Sequence, residues 1–300
     1  MPDPVRLPMV QPRDAGAPPI FEKVAILGLG LIGGSIALAA RQAWPAALVI
    51  AVDGKDVLEQ AMVKHAIDVA ADEPYVISEA DLVILAAPVR QNIELLAQIE
   101  EYVEGHAVIT DVGSTKRAIV DAARKLPARL TFIGGHPLAG AARGGFEFAR
   151  PDLFKGRPWL LTPHTDAAGD ALERLLAFVT ALGAKPRTLG AGEHDELLAF
   201  LSHLPQLAVS ALMDVVGNAT GEGLSMAGRG LVDTTRLASS PPNIWQDIAA
   251  TNADHLRTAL DALIAKLSAL RNGLEDPDTI GRVFEEAGRW RAELMRTRPE

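Results

Sequence analysis

Apolar residues come as short unbroken runs up to about residue 190 and at three- and four-residue spacing after it. The runs at 24–27 (VAIL), 47–52 (ALVIAV), 81–88, 107–111 and 130–134 read as strands buried on both faces. Unbroken rather than alternating hydrophobicity is what a parallel sheet covered by helices on both sides requires. Residues 159–162 and 186–189 look like two more short strands around a helix from about 167 to 182. Beyond Gly190 the spacing is helical: 193–216, 252–270 with Thr251 or Asn252 as cap, and 277–295. Pro205 lies inside the first of these, removes the bond to the Leu201 carbonyl, and predicts a kink there. The expected organisation is an arm over 1–20, a sheet domain over 21–190 and a helical domain over 191–300.

The first run leads into Gly28, Gly30 and Gly33, spaced G-x-G-x-x-G, with Leu31 and Ile32 between the last two. An Ala-rich helix and a second strand follow, and Asp53 closes that strand 20 positions after Gly33. Gly28 allows a tight turn, Gly30 lets backbone approach a pyrophosphate, and Gly33 lets helix pack closely on strand. The helix N-terminus offers N–H groups to phosphates, and Asp53 can accept from a ribose hydroxyl. Ala87 and Pro88 end the third strand where open α/β sheets bind ligands, and with Leu31 and Ile32 complete the expected cofactor contacts. A glycine-rich turn of another α/β protein is the alternative. The pattern predicts a Rossmann-type, mostly parallel domain binding NAD, with NADP less favoured because Asp53 would face a 2′-phosphate.

Composition narrows the picture further. Three hundred residues, 48% of them hydrophobic, suffice for two domains with sizeable cores. There is no cysteine, which excludes disulfides and thiolate chemistry and weakly favours a cytoplasmic protein. A net charge of −9 argues against nucleic acid as partner. The first twenty residues hold six prolines and no apolar core of a secretory signal, and read as a disordered arm. No later run reaches the ~18 uninterrupted apolar residues of a membrane span. The Leu/Ala-rich helical domain is expected to leave apolar surface for a second copy of the chain, with a self-sufficient bundle as the alternative.

Several polar residues directly follow strand ends, namely Ser114, Lys116 and His136. A nicotinamide cofactor needs a proton acceptor beside the carbon that loses hydride. His136, expected on a glycine-flanked turn, is the first candidate, and a loop residue of no consequence is the alternative. His203 on the proline-containing helix is the second, or else a packed helix histidine. Arg236, among small and apolar residues, could fork onto a substrate carboxylate or pair with Asp233 or another acid. Trp245 reads as core on position alone. His164, His194 and His255 are assigned to the surface, and no His/Asp/Glu spacing suggests a metal site.

The set GLGLIGGS, DVGSTK, GGHPLAG, SHLPQ and DTTRLASSPPNIW, in this order, resembles the prephenate/arogenate dehydrogenase family of tyrosine biosynthesis. The resemblance runs from about Phe21 to at least Asp247 and implies a modified Rossmann domain joined to a helical dimerisation domain, hence a homodimer. It implies that His136 takes the proton of the ring 4-hydroxyl as hydride leaves for NAD, and that Ser114 steers that hydroxyl. It implies further that Arg236 binds the ring carboxylate, and that His203 and Gln206 line the side-chain end of the substrate, with Trp245 nearby. Gln206 stands where prephenate-specific relatives commonly have histidine, and Ala142 where many have glutamate. No regulatory domain after the last helix and no fused chorismate mutase before the first strand are expected. A β-hydroxyacid dehydrogenase, usually recognised by a lysine that the SHLPQ helix lacks, and a non-catalytic dinucleotide sensor are the rival readings.

Overall fold

A computed structural model of the chain describes residues 18–141, 143–164 and 169–297. Most of the proline-rich arm, the departure at Ala142 and the start of the helix expected at 167 lie outside the described residues. Eight strands form one sheet in the order β3-β2-β1-β4-β5-β6-β7-β8. They are β1 (Lys23–Leu27), β2 (Leu48–Val52), β3 (Val69–Ala71), β4 (Leu82–Leu85), β5 (Ala107–Asp111), β6 (Leu130–Pro137), β7 (Pro158–Pro163) and β8 (Lys185–Thr188). All neighbours run parallel except β6 and β7. Helices α1 (Leu31–Ala43), α2 (Lys55–Val63), α3 (Val89–Tyr102), α4 (Arg117–Ala123) and α5 (Gly169–Ala181) make the crossovers that parallel strands need.

The runs expected as strands are strands because both faces are covered: Ile26, Ile36, Phe154, Trp159 and Phe178 pack in one apolar cluster, Val83, Leu85, Ile99, Ile109 and Phe132 in another. Two differences from the sequence pattern bear on function. Strand β3 has only three residues, none of them buried, too short to leave a run. Strand β6 does not end at Gly134. It continues through His136 to Pro137, because β7 offers an antiparallel partner there and pairs Leu160 with His136. His136 therefore sits on a hydrogen-bonded strand rather than on a turn.

Packing groups the chain into two units. The first takes the chain up to Leu198 together with Arg236–Asn252. Besides the sheet it contains α6 (Ala191–Leu198) and α9 (Pro242–Thr251). The second takes Ala199–Thr235 and the chain from Ala253 on, with α7 (Leu204–Thr220), α8 (Arg229–Thr234), α10 (Ala253–Asn272) and α11 (Pro277–Thr297). The change of residue pattern at Gly190 marks where strands stop, whereas the packing changes at Leu198. The expected kink takes the form of a π-helical segment, Ala199–His203, immediately before the turn of α7 that holds Pro205. A wider turn accommodates the missing proline N–H. In the second unit Leu212, Val215, Ile264, Leu267, Phe284 and Trp290 are exposed in the single chain. Ala191–Met226 is long and apolar enough on average to cross a membrane, but His194, Asp195, His203, Gln206 and Asp214 interrupt it.

Candidate active site

A cavity of about 500 Å³ opens at the carboxyl ends of β1, β2 and β4, where the strand order reverses. This is the position at which open α/β sheets bind ligands. Gly28 turns the chain at φ +103°, and a Cβ on Gly33 would lie 1.9 Å from the Gly28 carbonyl oxygen, so only glycine lets α1 close on the strand. Gly30 faces open space and caps α1 without a side-chain hydrogen bond, leaving the first N–H groups of the helix to a ligand. Asp53 lines the cavity, and its carboxylate accepts from Leu29 N at 2.5 Å and Gly54 N at 2.6 Å. The glycine turn and the acid expected to meet a ribose are thus held together, with further lone pairs on the carboxylate still available. Ala87 and Pro88 line the same cavity. Buried Asn92 fixes their turn by accepting from Ala87 N and donating to the Leu85 carbonyl, each at 3.1 Å. Leu31 and Ile32 are partly buried, with side chains packed against the core and backbone N–H groups in the first turn of α1. The cradle fits a dinucleotide.

The second feature lies along β5, β6 and α6. His136 Nδ1 is 2.9 Å from His194 Nε2, and His194 Nδ1 is 2.8 Å from Asp195 Oδ1. His194 and Asp195 are fully buried, so the assignment of His194 to the surface is corrected. Packing of α6 against β7 and α4 outweighs the polar look of AGEHDELL. The Asp195 carboxylate also accepts from Lys116 N at 2.7 Å and Arg117 N at 2.9 Å. Burial pushes its pKa up, but the bonds from His194 and from the Arg117 and Lys116 N–H groups outweigh this and hold it below the usual carboxylate range. Burial drives His194 the other way, below the ordinary histidine value, against the pull of Asp195.

These directions assign protons. An ionised Asp195 accepts only, so neutral His194 donates from Nδ1 and offers a lone pair at Nε2. His136 must then donate from Nδ1 to that lone pair, and in its neutral form it carries its own lone pair at Nε2. The three groups form one hydrogen-bonded chain.

Other candidates are placed as follows. Ser114 is half-buried in the loop between β5 and α4. Thr115 and Thr251 share a hydrogen bond at 2.7 Å, and Asn252 Nδ2 donates to the Asp195 carbonyl at 2.8 Å. The end of α9 is thereby tied to the loop and to α6. Asn252, one of the two residues expected as a helix cap, directly precedes α10 and also ties this point to α6. Trp245 is half-buried on α9. Arg236 opens a 3₁₀ turn, Arg236–Ser239, and its exposed guanidinium forms no ion pair among the described residues. His203 and Gln206 are buried in the second unit, where Gln206 Nε2 donates to Ser210 Oγ at 3.2 Å. His164 and His255 are half-buried. No cluster of three or more metal-ligating side chains occurs among the described residues.

Two family models match. The prephenate dehydrogenase nucleotide-binding domain covers residues 36–187, and the prephenate dehydrogenase dimerization domain covers 190–285. The chain is 34% identical over 283 residues to the prephenate dehydrogenase of Bacillus subtilis (strain 168), covering 90% of this chain and 75% of that one. It is 30% identical over 283 residues to the cyclohexadienyl dehydrogenase of Zymomonas mobilis, covering 92% of this chain and 97% of that one. The solved structure of prephenate dehydrogenase from A. aeolicus in complex with hydroxyphenyl propionate and NAD+ superposes with a TM-score of 0.84 at 26% identity, over 91% of this chain and 98% of that one. A dinucleotide cradle, a hydrogen-bonded His–His–Asp chain and two family models that together match residues 36–187 and 190–285 lead to one conclusion: the chain belongs to the prephenate dehydrogenase family.

Proposed function

We propose that the chain is an NAD-dependent oxidoreductase that oxidises and decarboxylates a cyclohexadienyl substrate, arogenate or prephenate. The observation that carries the reading is the His136–His194–Asp195 relay, which leaves His136 Nε2 as a proton acceptor in a member of this family. Bound NAD supplies the hydride acceptor at its nicotinamide ring. His136 takes the proton of the ring 4-hydroxyl as hydride departs from the same carbon, and Ser114 orients that hydroxyl. The bond to the ring carboxylate then breaks, carbon dioxide leaves, and its electron pair completes the aromatic ring. The proton on His136 returns to the oxygen. Arg236 holds the ring carboxylate, and His203, Gln206 and Trp245 serve the substrate's other end. Aromatisation supplies the driving force, so orientation and a correctly protonated base are what the protein contributes.

Gln206 bears on the substrate. Arogenate carries an ammonium where prephenate carries a ketone, and a neutral amide offers an acceptor to the one and a donor to the shared carboxylate. Arogenate is therefore expected to be turned over at least as well as prephenate. Steady-state NADH production with the two substrates side by side tests both statements. No turnover of either defeats the proposed function, and turnover of prephenate alone defeats only the role given to Gln206.

NAD is the proposed cofactor, in preference to NADP, on the position of Asp53 in the cavity. Asp53→Asn is expected to raise kcat/KM with NADP relative to NAD by roughly tenfold, equivalent to ~1.4 kcal/mol. An unchanged ratio would remove Asp53 from the ribose. The exposed apolar residues of the second unit and the match to a dimerization domain support a homodimer as the working form.

A further inference from the structure

Asp111 and Lys116 form an ion pair with both side chains wholly excluded from solvent. A buried pair is seldom a source of stability, because both ions give up hydration, so its arrangement calls for another explanation. Asp111 ends β5, and its two oxygens reach different segments. Oδ2 accepts from Gly113 N at 2.8 Å, next to Ser114, while Oδ1 accepts from Gly135 N at 3.0 Å, next to His136. Backbone pairing between β5 and β6 stops at Thr110 and Ile133, so this carboxylate continues the connection by side chain. Lys116 Nζ binds Oδ2 at 2.5 Å.

The surrounding glycines make room for the pair. A Cβ on Gly113 would lie 2.8 Å from Asp111 Oδ2, and one on Gly134 would lie 2.3 Å from Thr162 Oγ1 and 3.1 Å from Lys116 Cδ. Two glycines of the DVGSTK and GGHPLAG stretches thus keep space for a charge pair. Lys116 also belongs to the relay, since its backbone N–H donates to Asp195. The contacts close a ring: His136 to His194 to Asp195 to Lys116, and Lys116 through Asp111 back to Gly135.

We propose that Asp111, with Lys116 as its counterion, is a positioning residue that sets the backbone of the Ser114 loop against that of the His136 strand. This rests on reading His136 and Ser114 as acting on one hydroxyl. An ionised carboxylate is needed because it accepts on both oxygens at once; an amide accepts on one only. Loss of the bridge should leave cofactor and substrate binding in place and misalign the two groups that share the proton.

Asp111→Asn is compared with the double variant Asp111→Asn/Lys116→Met, whose neutral pair leaves no uncompensated buried charge. Expected are a folded double variant, NAD affinity within about twofold of wild type, substrate KM little changed, and kcat lowered by roughly 10–100-fold at saturating substrate. Wild-type kcat in the double variant would show that the pair only compensates its own charge and would overturn the proposal. Unfolding of the double variant, or parallel loss of NAD affinity, would make the pair a packing element and overturn it equally. Failure of the wild type itself to turn over either substrate would instead strike the proposed function.

Discussion

His136→Asn is expected to lower kcat by about 10²–10⁴, the usual worth of a general base, while substrate KM and NAD affinity stay near their wild-type values. Asparagine preserves size and a polar tip but offers no basic lone pair where Nε2 stood. Because the interaction is needed only as the proton leaves, its loss belongs in kcat. The pH dependence has a definite sign. Burial holds His194 below the ordinary histidine value, so it stays neutral, with its Nε2 lone pair directed at His136, down to a lower pH than a free histidine would. An acid-side fall of kcat in the wild type therefore reports protonation of His136, which fills its acceptor. That fall should be absent from the small residual activity of His136→Asn. Steady-state rates from pH 5 to 9 decide the matter. A variant with near-normal turnover, or with the wild-type acid limb intact, would move the base elsewhere.

Asp195→Asn is expected to do comparable damage without touching the substrate, on the order of 10²–10⁴ in kcat, as when the acid that orients a catalytic histidine is neutralised. Asp195 has two occupied sides, Oδ1 accepting from His194 Nδ1 and Lys116 N, and Oδ2 accepting from Arg117 N with Arg117 Nε 3.5 Å away. An amide must turn its NH₂ toward one of them. At the Oδ1 position it meets the Lys116 N–H and faces His194, whose imidazole moves its proton to Nε2 and donates to His136, which then carries its own proton at the position of the base. At the Oδ2 position it meets the N–H and the guanidinium of Arg117, and the start of α4 next to the Ser114 loop shifts. Either way NAD binding should persist, because the cavity at Gly28, Gly30 and Asp53 has no part in this network. Thermal melting and NAD titration separate the outcome from unfolding. Wild-type kcat in a folded Asp195→Asn would show that His136 does not depend on the relay for its proton state.

Legibility in the sequence followed the range of the interactions. The glycine turn, its helix and Asp53 lie within thirty residues of each other and act through backbone conformation and local packing, so spacing alone reports them. Continuous apolar runs reported the central strands for a similar reason, since a strand covered on both faces has no room for polar side chains. Strand β3 escaped because three half-exposed residues carry no periodicity. The extension of β6 escaped because it depends on β7, a partner more than twenty residues further on.

The relay is the sharper case. His194 and His136 are 58 residues apart, and Asp195 meets Lys116 across 79. On its own helix, Glu193 to Glu196 looks like an ordinary solvated segment, and nothing local says that the middle pair turns inward. The hint lies beyond α6, in the longer stretch Ala191–Met226, which is apolar on average and near whose start the adjacent histidine and aspartate stand, polar groups that would be costly to bury unpaired. By itself the sequence determined the α/β class and the dinucleotide cradle, because each follows from local conformation or periodicity, and it pointed to His136 from an expected strand end that β6 in fact runs past. Only the tertiary structure decided which atoms make His136 a base. Tautomer and proton acceptance are set by the partner's lone pairs, and those partners come together only when β5, β6 and α6 pack.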